Sequence, residues 1–272
     1  MSMPLATQNP LATAEPWDHV SHAYTAELLP LFELFSRDAL RLADLPPAAL
    51  IADVACGPGT LSLLAAAQGH RVEALDFSAQ MLTQFRQRAA GLHLQNRIEI
   101  QHGDGQHLPF SDKNFDAAFS MFGLIFFPDR IAGFRELYRT LKPNRPAIIS
   151  SWAPFEGVFG IMMDIVRAHV PELPFGQGQA PLGTPEAYQS EMSAAGFTHI
   201  QVQTIPHDLP APSAADFWAS AQRTNVAIIL LQQKLGPQKW STLSPSILKK
   251  LQTELGEGPI LVRARAHIAI AT

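Results

Sequence analysis

The chain has almost no cysteine. Its 272 residues include a single one, Cys56, which excludes an internal disulfide framework and a zinc site built on cysteine thiolates. Proteins without disulfides are typical of reducing compartments, so the sequence predicts a cytoplasmic location. A nucleophilic cysteine requires a nearby base that lowers its pKa, and the residues around Cys56 supply none. We therefore interpret Cys56 as a small turn residue.

Long apolar runs are also absent. Residues 226–231 form one of the longest runs, and six residues are far fewer than the roughly 20 that cross a membrane as a helix. Residues 1–15 lack the basic start and the apolar stretch of a signal peptide. We expect these residues to be a frayed leader, and we expect no membrane insertion.

The chain carries little net charge. The formal value of −4 at pH 7 gives no bulk attraction to nucleic acid, so no nucleic-acid partner is predicted. The apolar fraction of 47% can fill a substantial core. The length suits one large domain, or a domain with a cap.

Short apolar runs alternate with helical patterns through the first half of the chain. Strands are predicted at residues 50–55, 71–75, 97–101, 115–120 and 146–152. Helices are predicted at residues 26–45, 59–68, 79–90 and 130–141. This alternation is typical of right-handed crossovers that build a parallel sheet covered by helices on both faces.

The second half is less regular. Helices are predicted at residues 158–169, at 185–195 and, with breaks at 236–237 and 244–245, at 214–255. A sixth strand is predicted at residues 199–205, with connections at residues 171–185 and at the proline-rich residues 206–212. Residues 261–271 alternate between apolar and polar side chains, which predicts a long strand at an antiparallel edge of the sheet.

A turn with two glycines follows the first predicted strand. Gly57 and Gly59 permit close approach of the backbone to a ligand, where a Cβ would interfere. Asp76 ends the second strand, and its carboxylate can accept two hydrogen bonds from a ribose diol. The alternative is an ordinary glycine turn with an aspartate that caps the next helix, although Ser78 is available as that cap. The combination favours a cofactor that contains a nucleoside.

The glycine turn departs from the dinucleotide pattern. The pattern G-x-G-x-x-G needs a third glycine where Ser62 stands. A nicotinamide-dependent oxidoreductase is therefore the less favoured alternative.

A polar loop follows the third predicted strand, at residues 103–110. Asp104 lies between two glycines, so its carboxylate can face a ligand and accept from an exocyclic amine such as adenine N6. The alternative for the loop by itself is a polar Asx turn.

These motifs, taken together, resemble the class I S-adenosylmethionine-dependent methyltransferases. Within that family the sequence is similar to the small-molecule enzymes that include the ubiquinone and menaquinone biosynthesis methyltransferases. The matching stretches are residues 53–60, 74–82, 103–110, 115–120 and 135–143. The family usually has glycine where Ala55 stands, and relatives also use alanine there.

The resemblance implies an α/β, doubly wound, Rossmann-like methyltransferase fold. Its sheet would have seven mostly parallel strands with an antiparallel last strand, plus a helical cap. Residues 1–48 would form an N-terminal helical lid segment, and residues 206–259 the cap insertion. Residues 49–205 and 260–272 would form the domain that binds S-adenosyl-L-methionine. The protein is expected to be a monomer or a homodimer.

The resemblance also assigns cofactor contacts. The methionine part would lie against the turn, with Asp53 ordering it, and with contacts from Ala55, Cys56, Gly57, Gly59 and the carbonyl of Ser120. Asp76 would hold the ribose hydroxyls. Phe77 and Met81 would sandwich the adenine, and the loop residues Asp104, Gly105 and Gln106 would contact its edge. Tyr24, in the stretch at residues 17–24, would fold over the cofactor.

The implied function is methyl transfer to a small, apolar or aromatic metabolite at O, N or C. Phe122, Phe126 and Phe127 follow the fourth strand and are predicted to line the acceptor pocket. If the reaction uses a general base, His19 or His22 is the candidate; no metal is predicted. The alternative within the same fold is a non-catalytic protein that binds S-adenosylmethionine.

Overall fold

The computed structural model describes residues 9–169 and 180–272. Within these ranges the strands form one seven-stranded sheet of order β3-β2-β1-β4-β5-β7-β6. The strands are β1 Leu50–Val54, β2 Arg71–Asp76, β3 Ile98–His102, β4 Ala117–Met121, β5 Ala147–Trp152, β6 Gln201–Ala211 and β7 Ile260–Ala271. The connection predicted at residues 171–185 lies mostly outside the described residues.

Helices cover both faces of this sheet. Their bounds are α1 Ala14–Glu27, α2 Leu29–Ala43, α3 Thr60–Ala67, α4 Ala79–Gly91, α5 Arg130–Thr140, α6 Gly157–His169, α7 Pro185–Ala195, α8 Ala214–Thr224 and α9 Val226–Leu255. Among the helices of the described residues, none is both long and apolar enough to cross a membrane.

The strand directions confirm the predicted fold class. Strands β1 to β5 pair in parallel, whereas β7 pairs antiparallel with both β5 and β6. The order reverses between β1 and β4, because β2 and β3 lie on one side of β1 and the later strands on the other. Ligands of open α/β sheets bind at such a reversal, beyond the carboxyl ends of the strands.

Two apolar clusters fill the faces of the sheet. One includes Ile51, Phe85 and Phe119, and the other includes Val54 and Phe134, all almost fully buried. A third cluster joins α6, α8 and α9 to the far ends of β6 and β7, with contributions from Trp218, Ile228, Ile247 and Val262. This cluster packs α8 and α9 against α6 and against the sheet.

The last two strands differ from the prediction. β6 continues through Pro206 and Pro210 to Ala211, where a connection was expected. It does so because β6 is the outermost strand, and a proline is tolerated where one side of a strand needs no donor. β7 lies between β5 and β6, so its predicted edge position is wrong although its antiparallel direction is confirmed.

The helices at both ends of the chain also differ from the prediction. The single helix expected at residues 26–45 is α2, and α1 precedes it from Ala14. The prediction that residues 1–15 are a frayed leader is wrong for those of them that the structure describes. The Leu11 carbonyl accepts a hydrogen bond from the Trp17 indole N–H at 3.0 Å. The break expected at residues 244–245 is absent, whereas Gly236 does kink α9, with φ of 74°.

Candidate functional site

A large cavity lies beyond the carboxyl ends of β1, β2 and β4. Its volume is about 1950 Å³, about twice the upper end of the usual range for small-molecule pockets. The predicted site residues in its lining are Tyr24, Ala55, Gly57, Asp76, Phe77, Met81, Asp104, Gly105, Gln106, Phe122, Phe126 and Phe127. The cavity therefore brings together the three motifs and the aromatic residues that follow β4.

A second cavity of about 50 Å³ lies behind the glycine turn. Asp53 and Cys56 line this smaller space, together with Tyr24 and Gly57, which also line the large one. Gly59 and Ser120 line neither of the two cavities. Ser120 is fully buried, and its hydroxyl has no hydrogen-bond partner among the described residues.

Asp76 connects the second strand to the glycine turn. Its side chain is only 5% exposed. One carboxylate oxygen accepts from the Gly57 backbone N–H at 2.8 Å, and the other accepts from the Ser78 N–H at 2.8 Å. Burial raises the pKa of Asp76 to about 6, although the hydrogen bonds from Ser78 and Gly57 oppose this rise. Each oxygen keeps lone pairs for a further donor from the cavity.

The turn has three residues in the left-handed backbone region. Ala55, Gly57 and Gly59 have φ of 56°, 54° and 77°. A Cβ on Gly57 would meet no atom within 4 Å, so this glycine opens a space in the site. A Cβ on Gly59 would lie 2.2 Å from the Phe85 ring, so that glycine is required by the packing of α4.

Replacing Gly59 with alanine is expected to lower the free energy of unfolding by about 2–4 kcal/mol, from overpacking and from the left-handed backbone. Chemical denaturation measures this loss. Gly69→Ala is the matched control, since Gly69 has φ of 96° but open space around its Cβ position. Equal losses in the two variants would contradict the assigned clash with Phe85.

Asp53 lies under the turn and is 1% exposed. Its carboxylate accepts from the Ser62 hydroxyl at 2.6 Å. Burial raises the pKa of Asp53 to about 7; the hydrogen bond from Ser62 opposes the rise, and the charge of Asp76 adds to it. The residue that replaces the third glycine of the dinucleotide pattern therefore satisfies a buried carboxylate.

The loop after β3 is held by its own side chains. Asp104 accepts from the Gln106 backbone N–H at 2.9 Å and from the Gln106 side-chain amide at 3.1 Å. The side-chain oxygen Oε1 of Gln106 in turn accepts from the Asp129 backbone N–H at 2.9 Å. A Cβ on Gly105 would lie 2.4 Å from the Phe127 ring, so glycine lets this ring pack beneath the loop.

Helix α1 lies against the site. The Asp18 carboxylate accepts from the Ser78 hydroxyl at 2.6 Å and from the Gln80 N–H at 3.0 Å, which fixes α1 to the first turn of α4. The Trp17 ring lies 4.8 Å from that of Phe126, and both line the cavity. Sequence reasoning missed Asp18, because no local pattern links a residue of α1 to the cap of a distant helix.

Tyr24 lies near the end of α1 and lines both cavities. Its ring stacks on Phe32 with centroids 5.2 Å apart and planes 20° apart. Burial, and then the charge of Asp76, raise the pKa of the Tyr24 hydroxyl. Tyr24 therefore remains protonated near Asp76 at neutral pH.

The predicted histidine bases lie outside both cavities. His19 and His22 are exposed on α1, and neither contributes to the lining.

Cys56 is buried, and burial followed by the charges of Asp76 and Asp53 raises the pKa of its thiol, which agrees with a turn residue. Within residues 9–169 and 180–272, no group of three His, Cys, Asp or Glu side chains is placed to hold a metal.

Three aromatic rings form a wall of the large cavity. The Phe122 ring lies 4.3 Å from that of Trp152 and 5.2 Å from that of Phe32, and all three rings line the cavity. Only Phe122 was singled out from the sequence. Phe32 belongs to α2 and Trp152 ends β5, so their approach depends on the tertiary fold.

Comparison with known proteins extends these observations. Residues 51–144 match a family model described as a methyltransferase domain. An uncharacterized protein of Mycobacterium tuberculosis is 34% identical over 159 residues, which cover 58% of this chain and 57% of that protein. The chain therefore spans less than two thirds of that relative. The demethylmenaquinone methyltransferase of Streptomyces avermitilis is 34% identical over 161 residues, which cover 56% of this chain and 67% of that enzyme.

Solved structures share the fold at lower identity. A candidate methyltransferase of Bacillus halodurans C-125 has a TM-score of 0.60 and 19% identity, over 87% of this chain and 97% of that one. The phosphoethanolamine N-methyltransferase 2 of Haemonchus contortus, solved with S-adenosylhomocysteine, has a TM-score of 0.55 and 18% identity. That comparison covers 87% of this chain and 52% of the other.

The family model covers the strands that carry the glycine turn, Asp76 and the loop at residues 103–106. The Streptomyces enzyme extends the match across two thirds of its own length. The chain therefore belongs to the class I S-adenosylmethionine-dependent methyltransferases, a family whose cofactor is S-adenosyl-L-methionine.

Proposed function

We propose that this protein transfers a methyl group from S-adenosylmethionine to a small, apolar or aromatic acceptor. The observation that carries the proposal is the buried Asp76 carboxylate, which joins the open glycine turn to a cavity with an aromatic wall. The name of the Streptomyces relative specifies a quinone-type substrate for that enzyme. A substrate of that shape agrees with the aromatic wall seen here.

The glycine turn leaves room for the methionine part of the cofactor. The Cβ position of Gly57 is open, and Asp53 is among the residues that line the smaller cavity. In the proposal, Asp76 accepts from the ribose hydroxyls and Asp53 attracts the methionine ammonium. Gly57 allows close backbone approach to the methionine part.

Adenine would lie between Phe77 and Met81, with its exocyclic amine donating to Asp104. Phe77 is half-buried and Met81 is almost fully buried, and both apolar side chains line the cavity. The Gln106 backbone N–H is already donated to Asp104. Gln106 therefore orders Asp104 in the proposal, in place of the predicted contact with the adenine ring.

The bound cofactor supplies an electrophilic methyl group on a sulfonium, so the protein's part is to align the acceptor and exclude water. Residues of helix α1 and of the aromatic wall contribute to the lining of the cavity. No histidine lines this cavity within the described residues. The site therefore suits an acceptor that needs no histidine base.

A screen with radiolabelled methyl donor tests the proposal. Purified protein would be incubated with phenols, quinols, amines and thiols, and the labelled product identified by chromatography and mass spectrometry. We expect label in an aromatic acceptor. Binding of S-adenosylhomocysteine without transfer to any class would contradict an enzyme and support the non-catalytic alternative.

Affinity for S-adenosylhomocysteine is expected to rise with pH between about 5 and 8, because a cationic ammonium favours the ionised form of Asp53. The raised pKa of free Asp53, about 7, means that binding must first remove a proton at lower pH. Calorimetric titrations across this range measure the slope. Asp53→Asn should give weaker binding and a flatter profile; an unchanged slope would contradict the assigned role.

A further inference from the structure

Phe122 has an unusual backbone for a large side chain. It follows β4 directly and has φ of 60°, in the left-handed region that a bulky residue rarely adopts without a compensating contact. The side chain is only 5% exposed. The conformation therefore has to be held in place by the surrounding structure.

Ser150 of β5 supplies that contact. The Phe122 backbone N–H donates to two oxygens of Ser150, the hydroxyl at 3.0 Å and the backbone carbonyl at 3.3 Å. Ser150 is fully buried and is opposite Met121 in the register of β4 and β5. Its hydroxyl therefore binds the residue just beyond the last paired position, where β4 leaves the sheet.

The left-handed backbone of Phe122 sets the position of its ring. That ring lies 4.3 Å from the Trp152 ring with planes 31° apart, and the Phe32 ring meets it nearly edge-on at 5.2 Å. Phe35 is fully buried behind the cluster, 5.5 Å from Phe122. Phe122, Trp152 and Phe32 line the cavity and so present an aromatic surface to its contents.

Of the carboxylates that line the cavity in the described residues, Asp76 and Asp104 belong to the proposed cofactor site, three others pair with arginines, and Asp216 does not. Glu27 and Glu156 line the cavity, but Arg223 and Arg265 pair with them. Paired carboxylates leave little negative potential to attract an ammonium group. Aromatic groups gain roughly 0.5–1.5 kcal/mol from well-placed ring contacts beyond the burial of area.

We propose that Ser150 is a positioning residue that holds Phe122 in its left-handed conformation, and that Phe122, Trp152 and Phe32 form a platform for a planar aromatic acceptor. This inference rests on the proposed function for the identity of the occupant as the methyl acceptor. The platform acts by ring contact, and Ser150 acts on the acceptor only through Phe122.

Calorimetric binding of two probes tests the platform. The probes are 2-naphthol, which is planar, and 2-decalol, its saturated counterpart of similar size, each titrated with and without S-adenosylhomocysteine. We expect the protein to bind 2-naphthol at least tenfold more tightly than 2-decalol. Equal affinities for the two probes would overturn the platform.

Variants of Ser150 test the positioning role. Ser150→Ala should reduce the preference for 2-naphthol to less than threefold, whereas Ser150→Thr keeps a hydroxyl and should restore most of it. Thr140→Val is the matched control, because Thr140 is an equally buried hydroxyl at the end of α5, and it should leave the preference unchanged. An unchanged preference in Ser150→Ala would overturn the role of Ser150.

Two further measurements separate the possible failures. Trp152→Leu removes part of the platform without altering Ser150, and it should also lower the preference for 2-naphthol; retention of the full preference would count against the platform. Titration of S-adenosylhomocysteine into the same preparations tests the proposed function independently. Loss of that binding in the unmodified protein would refute the proposed function, while the probe preference would still decide on the platform.

Discussion

Asp76→Ala is expected to lower the affinity for S-adenosylhomocysteine by about 100-fold or more. The buried carboxylate would accept two hydrogen bonds from the ribose, and hydrogen bonds to a charged group contribute about 1.5–3 kcal/mol each. The substitution also removes the acceptor that holds the Gly57 N–H in the turn. Calorimetric titration measures the change in dissociation constant.

Controls for Asp76 separate binding from folding. Asp116→Ala removes a carboxylate from the opposite end of the sheet, where Asp116 accepts from the Leu50 N–H at 3.0 Å, and it should change the affinity less than twofold. Asp76→Asn keeps one oxygen acceptor and should give an intermediate loss. Full affinity in a folded Asp76→Ala protein would refute the ribose assignment.

Gly57→Val is expected to reduce S-adenosylhomocysteine binding by about 100-fold or more. The valine side chain would enter the open space beside the turn, which the methionine part would otherwise occupy. The left-handed backbone at φ of 54° adds a stability cost of about 1–2 kcal/mol. Titration, together with a thermal unfolding curve, measures both effects.

Gly69→Val provides the matched control for this variant. Gly69 is also left-handed and also has an open Cβ position, but it lies after α3, outside both cavities. A valine there should carry a similar backbone cost and leave the affinity within twofold. Equal losses of affinity in the two variants would show that backbone strain, and not a blocked site, weakens binding.

The regular part of the fold was predictable from the sequence. Five short apolar strands alternate with helices, and this local pattern is sufficient to specify β1 to β5 and most of the helices between them. The last strands were harder, because proline is normally a sign of a connection. Pro206 and Pro210 fit into β6 only because that strand lies at the edge, a position that the local sequence does not reveal.

The glycine and aspartate motifs of the candidate site were easier to predict than its aromatic wall. Gly57, Asp76 and Asp104 belong to contiguous motifs that follow strands, so their approach to one cavity was predictable. Phe32 and Trp152 carry no motif: the Trp152 ring meets Phe122 because β5 pairs with β4, and the Phe32 ring meets it only when α2 packs against the sheet. The left-handed backbone of Phe122 was equally hidden, because phenylalanine gives no sign of it.

Ser62 shows how a departure from a motif can be understood once the fold is known. The sequence alone showed only that Ser62 stands where the dinucleotide pattern has its third glycine. In the structure the Ser62 hydroxyl is the donor for the buried Asp53 carboxylate, which lines the smaller cavity. A glycine there would leave this carboxylate without its side-chain donor, which explains the serine in physical terms.

Calorimetric titration of the unmodified protein with S-adenosylhomocysteine and, separately, with NADH tests most directly whether the cavity beside Asp76 binds the family's cofactor. We predict saturable binding of one S-adenosylhomocysteine per chain, with no measurable heat from NADH at the same concentrations. Binding of NADH as tightly as S-adenosylhomocysteine, or no binding of S-adenosylhomocysteine at all, would contradict this assignment.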